Sequence, residues 1–160
     1  MTPFKSPRER DVPQVFGPAA GADCTAGRCV LPFPFPLAWD DTQQVKSFAC
    51  HELVAGHLTS IFAQAATHYG EDDFRRLRLD RFGGCFNHRA KRGGASLSMH
   101  SWGIAVDLDP LRNQLRWTHD RATFAGPDYL AFWKIVEAHG AISLGRVRDF
   151  DWMHFQIAAL

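Results

Sequence analysis

No run of about 18 apolar residues occurs in the chain, so no segment reads as a membrane-spanning helix. An excess of charge is missing too: 18 basic side chains face 17 acidic ones, and the formal net charge is +1. Without a basic stripe and interleaved aromatics, a nucleic-acid partner is not expected. The longest cationic cluster, Arg75-Arg76-Leu77-Arg78, reads as a solvated face. The opening stretch, MTPFKSPRERDVPQVFG, lacks the apolar core of a secretory signal. A chain made in the cytoplasm, reaching any outside target by another route, is the expectation. Cysteine is sparse, at positions 24, 29, 50 and 85. Cys24 and Cys29 followed by Cys50-His51 do not have the spacing of a zinc knuckle. Reduced thiols, or a short-loop disulfide in an oxidising compartment, fit them better.

What is present is an ordinary globular profile of 160 residues, nearly half of them apolar, enough for one domain with a proper core. Residues 1–38 are rich in Pro and Gly and end in VLPFPFPLAW, whose alternating prolines exclude helix and favour extended chain. They are expected as an arm held to the domain, residues 39–160, by Phe33, Phe35 and Trp39. Asp40-Asp41-Thr42 reads as a helix start, with apolar residues at helical spacing as far as Tyr69-Gly70, in one helix or two broken near Gly56. Alternation from Phe74 to Phe82 predicts a strand, and GIAVDLD and FDWMHFQIA predict two more. Pro127 to His139 reads as a helix closed by Gly140. The class expected is α+β, with helices flanking a small antiparallel sheet.

The stretch HELVAGH, residues 51 to 57, imitates a zinc-protease helix. That chemistry needs histidines four apart on one helix face. His51 and His57 are six apart, roughly 240° out of phase, and so read as two partly exposed helix histidines.

His100, Asp107 and His154 are better candidates. Two imidazoles and a carboxylate are a standard ligand set for a catalytic zinc, with a fourth position left for water. The strand after Gly103 sets Asp107 at one end and His100 in the loop at the other. Alternation separates Ala105, Asp107 and Asp109 from the core face of Ile104, Val106 and Leu108. Asp151, three residues before His154, stands where a general base is needed. Arg89 is the candidate donor to a developing oxyanion, with His88, Arg92 and Arg146 as rivals. Any one such residue near a strand end is more often structural than a ligand; the combination is what points to a metal site and a hydrolase.

At these positions SMHSWGIAVD fits the pattern S-x-H-x-x-G-x-A-x-D and resembles the D-alanyl-D-alanine carboxypeptidase type of zinc peptidase. That group includes VanY-like carboxypeptidases, the vancomycin-resistance dipeptidases and the L-alanyl-D-glutamate endopeptidases of phage endolysins. Five fixed positions would coincide by chance in roughly one chain in 20,000 of this length. The resemblance extends over roughly Leu77 to Ile157. It implies a zinc ion held by His100, Asp107 and His154, with Asp151 as base where glutamate is commoner. It implies a catalytic Arg89, in a loop whose length varies, and a Ser98 close to bound peptide. It also implies a fold shared with the hedgehog signalling domain and a substrate among peptidoglycan stem peptides. An endolysin-type L-alanyl-D-glutamate endopeptidase, monomeric and acting on the cell wall in phage lysis or from the virion, is the leading expectation. A D-alanyl-D-alanine carboxypeptidase is the alternative, and a non-catalytic zinc-stabilised virion or binding domain is a third reading.

Overall fold

In the computed structural model, which describes residues 1–160, the Pro-punctuated stretch is a strand, β1 (Gly27–Leu37). It pairs antiparallel with β2 (Asp40–Cys50), from Gly27 opposite Cys50 to Leu37 opposite Asp40, with register shifts where the prolines fall. A proline lacks the N–H that a ladder needs, and the irregularities absorb this. The helix expected from Asp40 is therefore corrected to a strand as far as Cys50. Its capping signal is real but serves the hairpin, since Thr42 N donates to Asp40 Oδ1 at 3.1 Å. Phe35 is fully buried and Phe33 packs against the core, whereas Trp39 is exposed and anchors nothing.

After the short α1 (Val12–Phe16) and the hairpin, helix resumes only at α2 (Ala55–Tyr69), which lays Leu58, Ile61, Phe62 and Ala65 onto the sheet. After Gly70 comes a second helix, α3 (Glu71–Arg76), where alternation predicted a strand. Phe74 and Leu77 are three apart and both buried, so the same residues satisfy a helical face. The acidic run Glu71-Asp72-Asp73 sits in the first turn, where the helix dipole favours it. Only β3 (Phe82–Gly84) remains of that expected strand.

Then follow β4 (Ala105–Leu108), α4 (Leu130–Ala138), β5 (Ile142–Ser143), the short helix α5 (Leu144–Arg148) and β6 (His154–Gln156). The six strands are ordered β2-β1-β3-β4-β6-β5. All contacts are antiparallel except β1 with β3, joined in parallel at Leu37 and Phe82. The α+β class is thus found, with a mixed sheet in place of a purely antiparallel one. Helices α2 and α4 cover the sheet through an aromatic layer. Phe62 meets Phe35 edge-on at 5.4 Å and Phe155 at 6.4 Å, and Phe132 meets Phe155 at 6.2 Å. No helix is long and apolar enough to cross a membrane.

The first residues pack against the end of the chain. Phe4 N donates to His139 O at 3.1 Å, Ala159 N to Pro7 O at 2.8 Å, and Glu9 N to Ala159 O at 2.7 Å. Gly140 makes this possible: a Cβ there would lie 2.1 Å from the Phe4 carbonyl oxygen. A short helix, α1 (Val12–Phe16), carries the chain onward and buries Val12 and Phe16.

Candidate metal centre and active site

His100 lies in a 3-10 turn, Met99–Trp102, whose first backbone N–H groups need a cap. Ser98 supplies one, its Oγ accepting from His100 N at 3.3 Å. Gly103 ends the turn at φ 68°, a left-handed conformation that glycine tolerates. A Cβ there would stand 2.2 Å from the Cys24 carbonyl oxygen, so the turn closes only with glycine. The chain then enters β4, where Asp107 pairs directly opposite His154 of β6. Paired residues share a sheet face, and this register alone brings two of the three candidate ligands together.

The third meets them. His100, Asp107 and His154 each offer a ligand atom within 4.8 Å of the others. His154 Nδ1 lies 3.0 Å from Asp107 Oδ1, and His100 Nε2 lies 3.2 Å from Asp107 Oδ2. The imidazoles meet edge to face at 5.0 Å.

Each ring is held by its outer nitrogen. His100 Nδ1 lies 2.6 Å from the Cys85 carbonyl oxygen, which can only accept, so that nitrogen carries the proton. His100 Nε2 is then buried with a free lone pair and no hydrogen-bond partner. His154 Nε2 lies 2.9 Å from Gln156 Oε1, leaving Nδ1 to face the carboxylate. Orphaned buried atoms are rare, and imidazoles oriented through their outer N–H by a carbonyl are the habit of metal-ligating histidines. The donor set therefore fits a divalent cation.

Electrostatics agree. Burial alone would raise the Asp107 carboxyl, but the His100 and His154 imidazoles outweigh it and hold the group well below the usual carboxylate range. Burial disfavours charge on His154, yet its contact with Asp107 raises that imidazole. Asp151 goes the other way. Burial, helped by the nearby Asp107 charge and partly opposed by His154, His100 and Arg92, pushes it up to about 6. Its Oδ1 is buried with no partner, and its backbone takes φ 53°. Asp149 steadies this segment by accepting from His119 N at 2.7 Å and from Trp152 Nε1 at 3.0 Å.

These groups share one cleft of about 570 Å³, lined also by Arg89, Arg92, Arg148 and Ser98. Arg89 Nε is buried without a partner while another of its nitrogens donates to the Ala90 carbonyl at 3.2 Å. Of its rivals, Arg92 also lines the cleft, whereas Arg146 is engaged by Glu137 at 2.8 Å and neither it nor His88 is part of that lining. Residues 92–157 match the family model of D-alanyl-D-alanine carboxypeptidase. No curated protein and no solved structure matches the chain. The resemblance carried by Ser98 to Asp107 is thereby borne out, and the carboxypeptidase match spans His100, Asp107, Asp151 and His154. Arg89 lies before the matched residues. The match and the ligand geometry together support a metallopeptidase of the kind that acts on peptidoglycan peptides.

The other histidines and the cysteines stay outside. His51 is buried rather than partly exposed: its Nδ1 accepts from Leu53 N at 3.2 Å and its Nε2 contacts Phe16 O at 2.9 Å. His57 turns instead to His139, at 3.3 Å. All four cysteines are free and buried. Two site residues escaped the sequence reading, Gln156 and Glu9. Gln156 shares a strand face with His154 by alternation, a signal that was there to read; Glu9 gave none.

Proposed function

We propose that the protein is a zinc peptidase that cleaves stem peptides of peptidoglycan, as an endolysin-type L-alanyl-D-glutamate endopeptidase. The observation that carries this reading is the convergence of His100, Asp107 and His154, with His100 Nε2 unpartnered and both inner nitrogens turned to the Asp107 carboxylate, beside the unpartnered Asp151 Oδ1 in an open cleft. His100 Nε2, Asp107 and His154 Nδ1 would hold the ion. A zinc ion held there would supply an acidified water and polarise the scissile carbonyl. Asp151 takes up a proton at Oδ1 and returns it to the leaving amine nitrogen; a carboxyl raised to about 6 is matched to that exchange near neutrality. Arg89 donates its unpartnered Nε–H to the oxygen on which charge develops. Ser98 caps the turn that carries His100 and lines the cleft where a bound peptide would lie.

The family description favours a second reading, a carboxypeptidase that removes terminal D-alanine. A purely structural metal site, the third reading, needs no raised and unpartnered carboxyl at its side, and Asp151 speaks against it. We place the activity at the cell wall, in phage lysis or from a virion, with the protein acting as a monomer. Digestion of purified muropeptides by the zinc-loaded protein, with product masses measured, tests the proposal. Stems split between L-alanine and D-glutamate support the endopeptidase. Release of free alanine alone overturns it in favour of the carboxypeptidase, and unchanged muropeptides overturn both.

A further inference from the structure

A chain of polar contacts runs from the metal site to the N-terminal segment. His154 Nε2 meets Gln156 Oε1 at 2.9 Å. Gln156 Nε2 donates to Glu9 Oε1 at 2.9 Å and to the Ala158 carbonyl at 3.1 Å. The second oxygen of Glu9 is paired with Lys91. Glu9 is brought there by the backbone contact of its own N–H with Ala159, adjoining the arm's bridge between Arg8 and Ala159.

The orientation of each group follows from the next. A carboxylate and a carbonyl can only accept, so the Gln156 amide must turn its two N–H donors toward Glu9 and Ala158. Its oxygen is then left facing His154. An oxygen there requires a proton on His154 Nε2, and that tautomer frees Nδ1 toward Asp107 and His100. A flipped amide would set its oxygen against two acceptors and its N–H against the ring.

We propose that Glu9 is a positioning residue of the metal centre: acting through Gln156, it fixes His154 in the tautomer whose Nδ1 binds the ion. This rests on the reading of His100, Asp107 and His154 as ligands, and it gives the N-terminal segment a part in that site. Ala158 alone can hold the amide in part, so Glu9 shares the task.

Zinc affinity measured by competition with a chromophoric chelator tests this. Partners that orient a ligating histidine are typically worth 10- to 100-fold in metal affinity. Glu9→Ala should weaken zinc binding about tenfold, and Gln156→Leu by more. Glu9→Gln keeps an acceptor toward Gln156 and should stay within about twofold of the wild type. Ser6→Ala loosens the same segment at its contact with Gly140 O, away from the polar chain, and should leave affinity unchanged. In the zinc-loaded wild type, ring ¹⁵N shifts should show His154 protonated at Nε2 and metallated at Nδ1. Glu9→Ala binding zinc as the wild type does, Ser6→Ala losing as much as Glu9→Ala, or His154 metallated at Nε2 would each overturn the positioning role alone. A wild-type chain that binds no zinc overturns the ligand reading with it.

Discussion

Asp107 and Asp109 stand two residues apart at the end of β4, and their surroundings are opposite in kind. Asp109 is fully buried and fully engaged: Oδ1 accepts from Arg78 Nε at 3.0 Å, Oδ2 from Arg112 Nε at 3.2 Å, and its carbonyl from Asn113 Nδ2 at 3.1 Å. Its φ of 42° turns it off the strand, so the alternation that would set it beside Asp107 ends there. Around Asp107 the bookkeeping stays open, with His100 Nε2 and Asp151 Oδ1 both buried and without partners. A closed cluster of charges is part of the fold. An open one has capacity left for an ion and for a proton.

That contrast can be broken at either end. The largest effect is expected at Asp151→Asn, which keeps the shape but removes the proton acceptor. Hydrolysis of muropeptides should fall by about 10²- to 10⁴-fold while bound zinc is retained; loss of the zinc as well would make Asp151 a ligand or a fold element. Next comes Asp109→Asn, which leaves Arg78 and Arg112 without their carboxylate. Chemical denaturation should show a loss of about 3 kcal/mol, with the rate per folded molecule unchanged. A slower rate at full folding would tie Asp109 to the site after all.

The smallest effect sharpens the comparison by its sign. The folded pKa of Asp151, about 6, lies above the unfolded value of about 3.9, so between those limits the folded chain holds the extra proton. Its contribution to stability therefore falls as pH rises through that window. Metal-free Asp151→Asn should be more stable than wild type by at most about 3 kcal/mol above pH 6 and equal to it below about pH 4. Urea titrations of both proteins at the two pH values check this; a variant less stable at pH 7 would show that the carboxylate is satisfied in the fold.

His100 and Asp107 were legible as candidate ligands because they come in a fixed local pattern. Gly103 and Ala105 announce a tight turn and close packing, and Asp107 lies at a strand end. The β4–β6 register that brings His154 opposite Asp107 was not legible, since pairing between distant strands leaves no local mark. The first half misled for a related reason. Val45, Phe48 and Ala49 fit a helical stripe, but pairing with β1 overrode it. Leu77 and Leu79 alternate as a strand would, but Phe74 and Leu77, three apart, share only a helical face, and the acidic turn after Gly70 favours that helix. The link from Glu9 to Gln156 spans 147 positions and is carried by an arm with no pattern of its own. The Cys85 carbonyl that orients His100 is backbone, which no side-chain motif records.

Metal content tests the central claim most directly. Purified wild-type and His100→Ala proteins, each dialysed against zinc and then against buffer, would be assayed for zinc per chain. The account predicts one ion per wild-type chain and little or none in the variant. Equal zinc in both proteins, or none in the wild type, would contradict it.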